Sequence, residues 1–570
     1  MEVAARKDRG FPGALGVASW LMPEPLQSLA RAFPDVRTSD DAADRVAYSR
    51  DLWPRHHLAV RAGNVGEHRP AGIVWPRTTD EVSRIVRWAH DSGTPIVPFG
   101  AGSGVCAGVL PQKDIIVLDL KKMTRWRALD ERALTLEVEA GQMGLPLEED
   151  LNRRGYTLGH FPSSILCSTV GGWVAARSAG QCSGMYGKIE DMVLALECVT
   201  GTGEIVELRH RTSGPNLIPL VIGSEGTLAI VTSATLRLHR KPEARAFAGF
   251  SFPTTEHGWE AMRAMFQAGL RPAVSRLYDP FDAMLARRGS VKKDGADSGG
   301  TPGLGAAALR SVLRRPGVIN ELLDGAFGSK MLGGSLVVLI FEGEGEGPSR
   351  DMEQARALFE TMRAKYEGEG PARKWLLHRY SVSYRQAPVF AAGLFSDTME
   401  VAAPWSKLRA LYDGVRRALG EHVFVMAHLS HAYPDGCCIY FSFAGTAAKG
   451  AGVTPASGWD ERCEVTYDRA WKAAMAAAIE AGGTLAHHHG VGRSKAPRMA
   501  HELGAGGVDS VRALMRAFDP KGILNPGNLL PPPTPSPYLD DAHPRQIRES
   551  ESESESESES ESERKNERTA

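Results

Sequence analysis

Residues 161–180 read Phe161-Pro-Ser-Ser-Ile-Leu-Cys-Ser-Thr-Val-Gly-Gly-Trp-Val-Ala-Ala-Arg-Ser-Ala-Gly180. The small residues from Val170 to Ala179 predict a helix that Ser168 or Thr169 caps and that Gly180 ends. Free amides in the first turn of such a helix favour a phosphate or pyrophosphate group. The same composition is also typical of a turn that packs a helix tightly on a sheet. This stretch alone leaves both interpretations open.

Two other glycine-rich runs flank this stretch in the chain. They are Pro98-Phe-Gly-Ala-Gly-Ser-Gly-Val105 and Ile222-Gly-Ser-Glu-Gly-Thr-Leu-Ala-Ile-Val231. The first is not a Rossmann fingerprint, because Cys106-Ala-Gly-Val-Leu-Pro111 follows it and cannot extend a helix. We expect a loop between strands whose successive amides bind an anion, with a flexible surface loop as the alternative. Together the three segments predict one long phosphate-bearing ligand that is held from several sides.

The composition limits the classes of protein to which the chain can belong. A length of 570 residues predicts two or three domains. Lys+Arg 67 against Asp+Glu 68 gives no excess positive charge, which excludes a nucleic-acid partner. The seven cysteines form no Cys-x-x-Cys pair, and no apolar run has the length of a membrane span. We therefore expect a cytoplasmic protein.

Hydrophobic periodicity predicts a mixture of helices and strands, and hence the α+β class. Thr78 caps a helix that Gly93 ends. Strands are expected at 96–97, 115–120, 134–139, 193–199, 205–208, 336–341 and 438–443. An Ala-rich helix is expected at 455–482.

Four ordered motifs resemble the FAD-binding domain of the vanillyl-alcohol oxidase/p-cresol methylhydroxylase superfamily. They are Pro98-Phe-Gly-Ala-Gly-Ser, Ser168-Thr-Val-Gly-Gly-Trp, Tyr186-Gly-Lys-Ile-Glu-Asp191 and Gly223-Ser-Glu-Gly-Thr-Leu. The resemblance implies a two-subdomain FAD-binding domain, an α+β substrate (cap) domain and a C-terminal helical segment. The glycine loop lacks the histidine that bonds the flavin in flavinylated members, which implies noncovalent FAD.

The residue pattern and the resemblance together give domain boundaries, and the resemblance implies the FAD contacts. The segments are a partly helical lead-in (1–66), the FAD-binding domain (67–242), the cap domain (243–480), a segment that returns the histidines to the FAD site (481–530), and a disordered Pro-rich and Glu-Ser tail (531–570). The implied FAD contacts are Pro98, Phe99, Gly100, Ala101, Gly102, Ser103, Gly104, Ser163, Ser164, Ser168, Thr169, Gly171, Gly172, Ala176, Arg177, Ser178, Ala179, Glu225, Gly226, Thr227, Leu228, Ala229, Ile230 and Val231.

The histidine triplet 487–489 is the most specific chemical signal in the sequence. One interpretation is a metal centre to which His428 and His431 add ligands. Zinc-carrying flavin dehydrogenases of this superfamily have Gly-Asp-Gly-Asn after their first histidine and a later Glu-His-Gly. This chain has Tyr433-Pro-Asp-Gly-Cys437 instead, and His487 stands in place of that glutamate. We therefore expect no metal; packed core histidines are a further interpretation.

Over roughly residues 70–530 the chain is similar to the alkylglycerone-phosphate synthase family. The similarity rests on His487-His-His-Gly-Val-Gly492, Cys438-Ile-Tyr-Phe441 and the run from Pro162 to Trp173. It implies these roles: Tyr440 as the acid/base tyrosine, His487, His488 and His489 as essential histidines, Arg276 as a functional arginine in catalysis or substrate binding, Arg385 as the phosphate-binding arginine, and His160 as a substrate-binding residue.

The implied reaction exchanges the acyl chain of acyl-dihydroxyacetone phosphate for a long-chain fatty alcohol and so turns an ester into an ether. Flavin N5 is the covalent catalyst, with no net redox change. Tyr440 takes the C1 hydrogen, the histidines assist it, and the arginines hold the phosphate. We expect a homodimer with peripheral membrane contact. In the basic segment 304–327, Pro316 and the glycines favour a solvated lid, with contact to a membrane surface as the alternative.

Two other functions stay open at this point. An FAD-dependent oxidoreductase acting on a 2-hydroxy acid or alcohol is the alternative, and its flavin would be bleached by substrate alone. A flavin- or lipid-binding protein without catalysis would bind FAD but would neither exchange chains nor bleach.

Overall fold

The computed structural model describes residues 24–61, 68–111, 114–210, 213–288, 313–323, 325–380, 389–390, 393–447 and 462–531. The first eleven strands are β1 Arg37–Ser39, β2 Gly72–Trp75, β3 Ile96–Phe99, β4 Ile116–Asp119, β5 Trp126–Asp130, β6 Thr135–Glu139, β7 Tyr156–Thr157, β8 Val193–Thr200, β9 Ile205–Arg209, β10 Ala229–Arg237 and β11 His239–Arg240. The other seven are β12 Ala244–Phe252, β13 Val274–Tyr278, β14 Ser335–Gly343, β15 Lys365–Tyr366, β16 Phe395–Pro404, β17 Phe424–Ala432 and β18 Gly436–Gly445.

Helices lie between and after these strands. Those before β12 are Glu24–Ala32, Ala42–Ala47, Pro54–Arg61, Thr79–Ser92, Gly144–Arg153, Val170–Ala175, Ser183–Tyr186, Ile189–Met192 and Ile218–Val221, with a 3₁₀ turn at Ile165–Cys167. Those after β12 are Thr255–Gln267, Pro280–Arg288, Pro316–Leu323, Gly325–Leu332, Gly347–Thr361, Gly370–His378, Trp405–Gly420, Arg462–Glu480, Gly492–Lys495 and Met499–Phe518, with a 3₁₀ turn at Ala496–Arg498.

Two sheets that share one core form the first part of the chain. The order of the smaller sheet is β1-β2-β4-β3, with β2, β4 and β3 parallel. The larger sheet, β5-β6-β10-β8-β9, is antiparallel. Ile116 and Val86 belong to the same buried cluster as Val138 and Leu236 of the larger sheet. Burial of this shared apolar surface holds the two subdomains together.

A seven-stranded antiparallel sheet forms the second part, in the order β15-β12-β14-β13-β17-β18-β16. Side chains alternate between its two faces. One face, with Leu277, Leu429 and Phe441, packs against Trp259 and Leu408 of the covering helices. The other face turns toward the first part of the chain, so its polar side chains lie between the two parts.

Most sequence-predicted elements are present within a residue or two. Thr78 caps the helix Thr79–Ser92 by accepting the amide of Glu81, and Gly93 ends it at φ 71°. The run from Gly100 leads from β3 to the neighbouring parallel strand β4 without a helix in its described residues. The predicted strands at 336–341 and 438–443 are β14 and β18.

The helix predicted from Val170 to Ala179 is shorter than expected, and Gly180 does not end it. Thr169 caps it as predicted, but it ends at Ala175. The carbonyl oxygens of Val174 and Ala175 accept the amides of Gly223 and Glu225 at 2.9 Å each. A distant loop therefore takes the acceptors that a further helical turn would use.

The C-terminal segment returns to the first sheet. Leu524 forms a parallel bridge with Ile96 of β3. Asn525 donates its side-chain amide to the carbonyl oxygens of Gly108 and Glu225, at 2.9 and 2.8 Å. Glu225 in turn accepts the amides of Val491 and Gly492. These contacts tie the segment that carries the histidines to the glycine-rich loops.

The described helices include none that is long and apolar enough to cross a membrane. The basic segment 304–327, predicted as a solvated lid or a membrane contact, lies partly outside the described residues. Its described part includes the helix Pro316–Leu323, on which Val318 is 56 % and Leu322 65 % exposed.

Candidate active site

Four polar residues form one row across the inner face of the seven-stranded sheet. Tyr278 of β13 pairs with His428 of β17, and His428 pairs with Tyr440 of β18. Tyr440 pairs in turn with Glu400 of β16. Directly paired residues of antiparallel strands place their side chains on the same face. The register alone therefore brings these groups together, although they are far apart in the sequence.

The hydroxyl of Tyr440 lies between two histidines. It is 2.8 Å from Nε2 of His431 and 2.7 Å from Nε2 of His488. Burial raises the pKa of Tyr440 well above its ordinary value and lowers the pKa of each of the two histidines well below theirs. A neutral phenol between two neutral imidazoles can both donate and accept a proton.

Hydrogen bonds extend from this centre in both directions. Nδ1 of His431 lies 2.7 Å from Oγ of Ser183, to which the Tyr433 hydroxyl donates at 3.1 Å. On the other side, Nδ1 of His488 lies 3.0 Å from Nδ1 of His487. The Tyr440 hydroxyl is thus the middle of a continuous polar chain.

Glu400 holds the histidine triplet in a turn. Its carboxylate accepts the backbone amides of His487 at 2.7 Å, His488 at 3.3 Å and His489 at 2.9 Å. Nζ of Lys495 lies 3.7 Å from the same carboxylate, and both side chains are buried. Burial alone would raise the pKa of Glu400, but Lys495, the histidines and the amides lower it below its ordinary value. The negative charge is therefore retained beneath the triplet.

Glu400, Cys438, His487 and His488 are close enough to one another to hold a metal ion. Two features of the group oppose one. Both carboxylate oxygens of Glu400 already accept amides, and the Lys495 ammonium would repel a cation. Burial also raises the pKa of the Cys438 thiol well above its ordinary value, so the thiolate that binds metals is disfavoured. The metal-free site stays a prediction.

A cavity of about 1490 Å³ lies between the first sheets and the seven-stranded sheet. All three glycine-rich segments contribute to its wall, as do Tyr440, His488 and His489. Of the implied FAD contacts, those that do not line it are Arg177, Thr227 and Leu228. Arg177 instead pairs with Glu190 at 3.4 Å.

The wall fits a long cofactor with a pyrophosphate. A Cβ on Gly100 would lie 2.4 Å from Oγ1 of Thr169, so the first loop can meet the helix cap only with glycine there. A Cβ on Gly171 would lie 2.7 Å from Cβ of Ala140, which supports the tight-packing interpretation for that residue. Gly172 also lines the cavity, and its Cβ would have Thr169 Oγ1 as its near neighbour. The stretch therefore combines close packing with open backbone toward a ligand.

Arg276 also faces the cavity, on β13. Its Nε is buried without a hydrogen-bond partner among the described residues, and its guanidinium lies 5.1 Å from the ring centre of Tyr278. A half-buried arginine with an unpaired Nε in the cavity wall suits an anionic group of a ligand.

The other predicted residues lie elsewhere. His160 is fully buried outside the cavity lining, 3.2 Å from Oγ of Ser178, and burial lowers its pKa to about 3. Two of its neighbours, Ser178 and Trp173, do line the cavity. His487 does not line the cavity but touches His488. Arg385 lies outside the described residues.

The sequence interpretation gave no role to several residues of the site. Glu400 had one available signal, since it stands between the apolar residues Met399 and Val401 of β16, where a buried carboxylate needs partners. Ser183 and Lys495 carry no comparable signal. Asp282 likewise lines the cavity without having been singled out.

Two family models match most of the chain. Residues 70–209 match the FAD binding domain, and residues 241–529 match the C-terminal domain of FAD linked oxidases. These matches confirm FAD as the cofactor.

The similar proteins include alkyldihydroxyacetonephosphate synthases on the one hand and an oxidase subunit and a methylhydroxylase on the other. Alkyldihydroxyacetonephosphate synthase of Trypanosoma brucei brucei is 31% identical over 514 residues, which cover 88% of this chain and 79% of the relative. Glycolate oxidase subunit GlcD of Bacillus subtilis (strain 168) is 28% identical, covering 90% and 96%. A solved alkyldihydroxyacetonephosphate synthase superposes with a TM-score of 0.67 at 27% identity, covering 88% and 85%. Substrate-bound p-cresol methylhydroxylase superposes with a TM-score of 0.61 at 15% identity, covering 87% and 94%, and confirms the fold.

Proposed function

Because this chain belongs to the alkyldihydroxyacetonephosphate synthase family of FAD-linked enzymes, we propose that it synthesises ether lipids. The reaction exchanges the acyl chain of acyl-dihydroxyacetone phosphate for a long-chain fatty alcohol. When bound, FAD supplies a nucleophilic nitrogen for carbon C1 without net oxidation. The residues described above bind the substrate and move its protons.

The position of the Tyr440 hydroxyl is the observation that carries this proposal. It faces the cavity between His431 and His488, whose neutral rings can accept or return a proton. To remove the C1 hydrogen, the acid/base group must pass its own proton to a neighbour while it accepts the hydrogen from C1. Tyr440 can do so because each histidine offers it a hydrogen-bond partner in either state.

Two arginines hold the phosphate in this proposal. Arg276 has a buried donor in the cavity wall. Arg385 carries the phosphate-binding role that the family resemblance implies. A guanidinium paired with a phosphate makes charge-assisted hydrogen bonds and fixes the orientation of C1.

The long apolar chains of the proposed substrates favour peripheral contact of the protein with a membrane. Leu285 is 44 % exposed and also lines the cavity, and Leu377 is 78 % exposed on the helix Gly370–His378 that contributes Trp375 to the wall. Exposed leucines at a cavity mouth favour contact with a lipid surface. Flotation with vesicles of neutral and anionic lipid tests this, and a Leu285→Ser, Leu377→Ser variant should float less.

The homodimer proposed from the family resemblance has its own test. Light scattering after gel filtration should give twice the chain mass of 61.6 kDa. A single-chain mass at micromolar concentration contradicts it.

One assay separates the functional alternatives. Purified protein with acyl-dihydroxyacetone phosphate and isotopically labelled hexadecanol should yield a labelled ether and free fatty acid. A flavin bleached by a 2-hydroxy acid, with no ether formed, would establish the oxidoreductase instead. Bound FAD with neither result would leave a binding protein.

A further inference from the structure

A second pair of ionisable groups faces the cavity beside Tyr440. Nδ1 of His428, on β17, lies 3.2 Å from Oδ2 of Asp282, on the helix Pro280–Arg288. Both side chains line the cavity. The His428 ring stacks on the Tyr440 ring, with centroids 4.7 Å apart and planes inclined by 21°. The function proposed above does not use this pair.

The Asp282 carboxylate fixes the orientation of the imidazole. A carboxylate at Nδ1 favours the tautomer whose Nδ1 carries the hydrogen, which leaves the Nε2 lone pair free to accept a proton. Burial lowers the pKa of His428 well below its ordinary value and raises that of Asp282 to about 6. Arg276 also faces both groups and disfavours a charged imidazole. His428 is therefore neutral near neutral pH, with its Nε2 lone pair unprotonated.

The exchange reaction moves two protons from different atoms. One is the C1 hydrogen, and the other is the hydroxyl hydrogen of the incoming alcohol. The Tyr440 hydroxyl already has two histidine partners and is committed to the first. The alcohol proton needs an acceptor on the same cavity wall that is not part of the hydrogen-bond chain through Tyr440. His428 meets both conditions, because it lines the cavity and its ring bonds to Asp282 rather than to a member of the Tyr440 hydrogen-bond chain.

We propose that His428, oriented by Asp282, is the general base that accepts the hydroxyl proton of the fatty alcohol as its oxygen bonds to C1. This rests on the proposed function. Over the whole exchange Tyr440 takes the C1 hydrogen and returns a proton to C1. The C1–O bond to the acyl group breaks, and the acyl group leaves as a carboxylate. A C1–O bond to the alcohol forms, and its proton passes through His428 to solvent. No electrons are gained or lost.

The test uses the FAD-loaded full chain and two separate readouts. The first is exchange of the C1 hydrogen with D₂O in the absence of alcohol, which depends on Tyr440. The second is ether formation from hexadecanol. His428→Gln should reduce ether formation about a hundred- to ten-thousandfold, the usual loss for a general base, and leave C1 exchange within a few-fold of the parent. His257→Gln, the same chemical change at a histidine outside the cavity lining, should alter neither.

A more acidic alcohol tests the role of a base directly. 2,2-Difluorohexadecanol gives up its proton more readily, so it should restore part of the ether formation in His428→Gln while helping the parent little. Asp282→Asn should show a smaller loss with an altered pH dependence of ether formation, because the positioning partner has changed.

The outcomes separate the two proposals. If the parent forms no ether and exchanges no C1 hydrogen, the proposed function is wrong. If the parent does both, and His428→Gln keeps both or loses both equally, His428 is not the base. Equal losses with the two alcohols also overturn the assignment.

Discussion

Glu400 and Lys495 form a buried ion pair beneath the histidine triplet, with Nζ 3.7 Å from Oε1. The pair joins β16 to the C-terminal segment, and the same carboxylate fixes the three histidine amides. The position of the His488 ring against Tyr440 therefore depends on the carboxylate of Glu400, which does not line the cavity.

Glu400→Gln should lower the free energy of unfolding by about 3–5 kcal/mol, because Lys495 then lacks its buried partner. Denaturant unfolding measures this. The double variant Glu400→Gln, Lys495→Met is the control and should lose less than the single variant, since it leaves no buried charge unpaired. A larger loss in the double variant contradicts the ion-pair interpretation.

The same substitution changes the response to acid. The pKa of Glu400 is below its ordinary value in the folded protein, so its contribution to stability is full above about pH 4.5 and is lost as the pH falls through the folded pKa. The difference in unfolding free energy between parent and Glu400→Gln should therefore shrink below about pH 4.5. A difference independent of pH down to 3 would show that Glu400 is not charged.

Tyr440→Phe should keep the ring, its packing and bound FAD, but lose about a hundred- to ten-thousandfold in ether formation. The loss in stability should be about 2 kcal/mol, because the hydroxyl has two histidine partners and each hydrogen bond contributes roughly 1 kcal/mol. Turnover within a few-fold of the parent would make Tyr440 a packing residue. The flavin spectrum of the variant checks that the site is still formed.

Arg276→Ala and Arg385→Ala should each weaken the apparent affinity for the phosphorylated substrate about ten- to a hundredfold. The estimate follows from roughly 1.5–3 kcal/mol for a charge-assisted bond, with 1.4 kcal/mol per decade. Arg373→Ala, an exposed arginine paired with Glu369 away from the cavity lining, is the control. Unchanged affinity in one variant assigns the phosphate to the other arginine.

Acid precipitation should leave the yellow colour in the supernatant, because the glycine loop Gly100–Gly104 has no histidine to bond the flavin. The absorbance spectra of pellet and supernatant decide this. Colour that stays with the pellet after denaturation means that another side chain is attached to FAD.

Chelation should leave ether formation unchanged. The carboxylate that could complete a metal site with Cys438 and His488 is taken by backbone amides and faces Lys495. Metal analysis before and after treatment accompanies the assay. Stoichiometric zinc or manganese that is lost together with activity would also overturn the transferase proposal.

Local signals in the sequence predicted the elements that local chemistry determines. The Thr78 cap and the left-handed Gly93 bound one helix, because both act within a single turn. The early end of the Val170 helix was not predictable, since its last carbonyls bond to Gly223 and Glu225. Partners so distant in the sequence leave no trace in helix propensity.

The active site shows the same difference between features set by local sequence and features set by distant partners. Alternation along β18 puts Tyr440 on the face opposite Ile439 and Phe441; those two are buried in the core, while Tyr440 lines the cavity. Its neighbours follow from strand register, which pairs it with His428 and Glu400. Register depends on how the whole sheet assembles, so the sequence offered the residues but not their pairing.

The return of Leu524 to β3 sets the order in which the molecule can be made. Ile96 donates its amide to the Ile523 carbonyl at 2.8 Å, so one edge of the smaller sheet stays incomplete until the C-terminal segment has left the ribosome. At translation speeds of ~5–20 residues per second, that interval is roughly 20–90 s. The glycine loop after β3 and its contact with Asn525 are completed only then. We therefore expect FAD to bind after synthesis of the C-terminal segment and not to the nascent chain. Variants truncated before residue 519 should be purified without flavin.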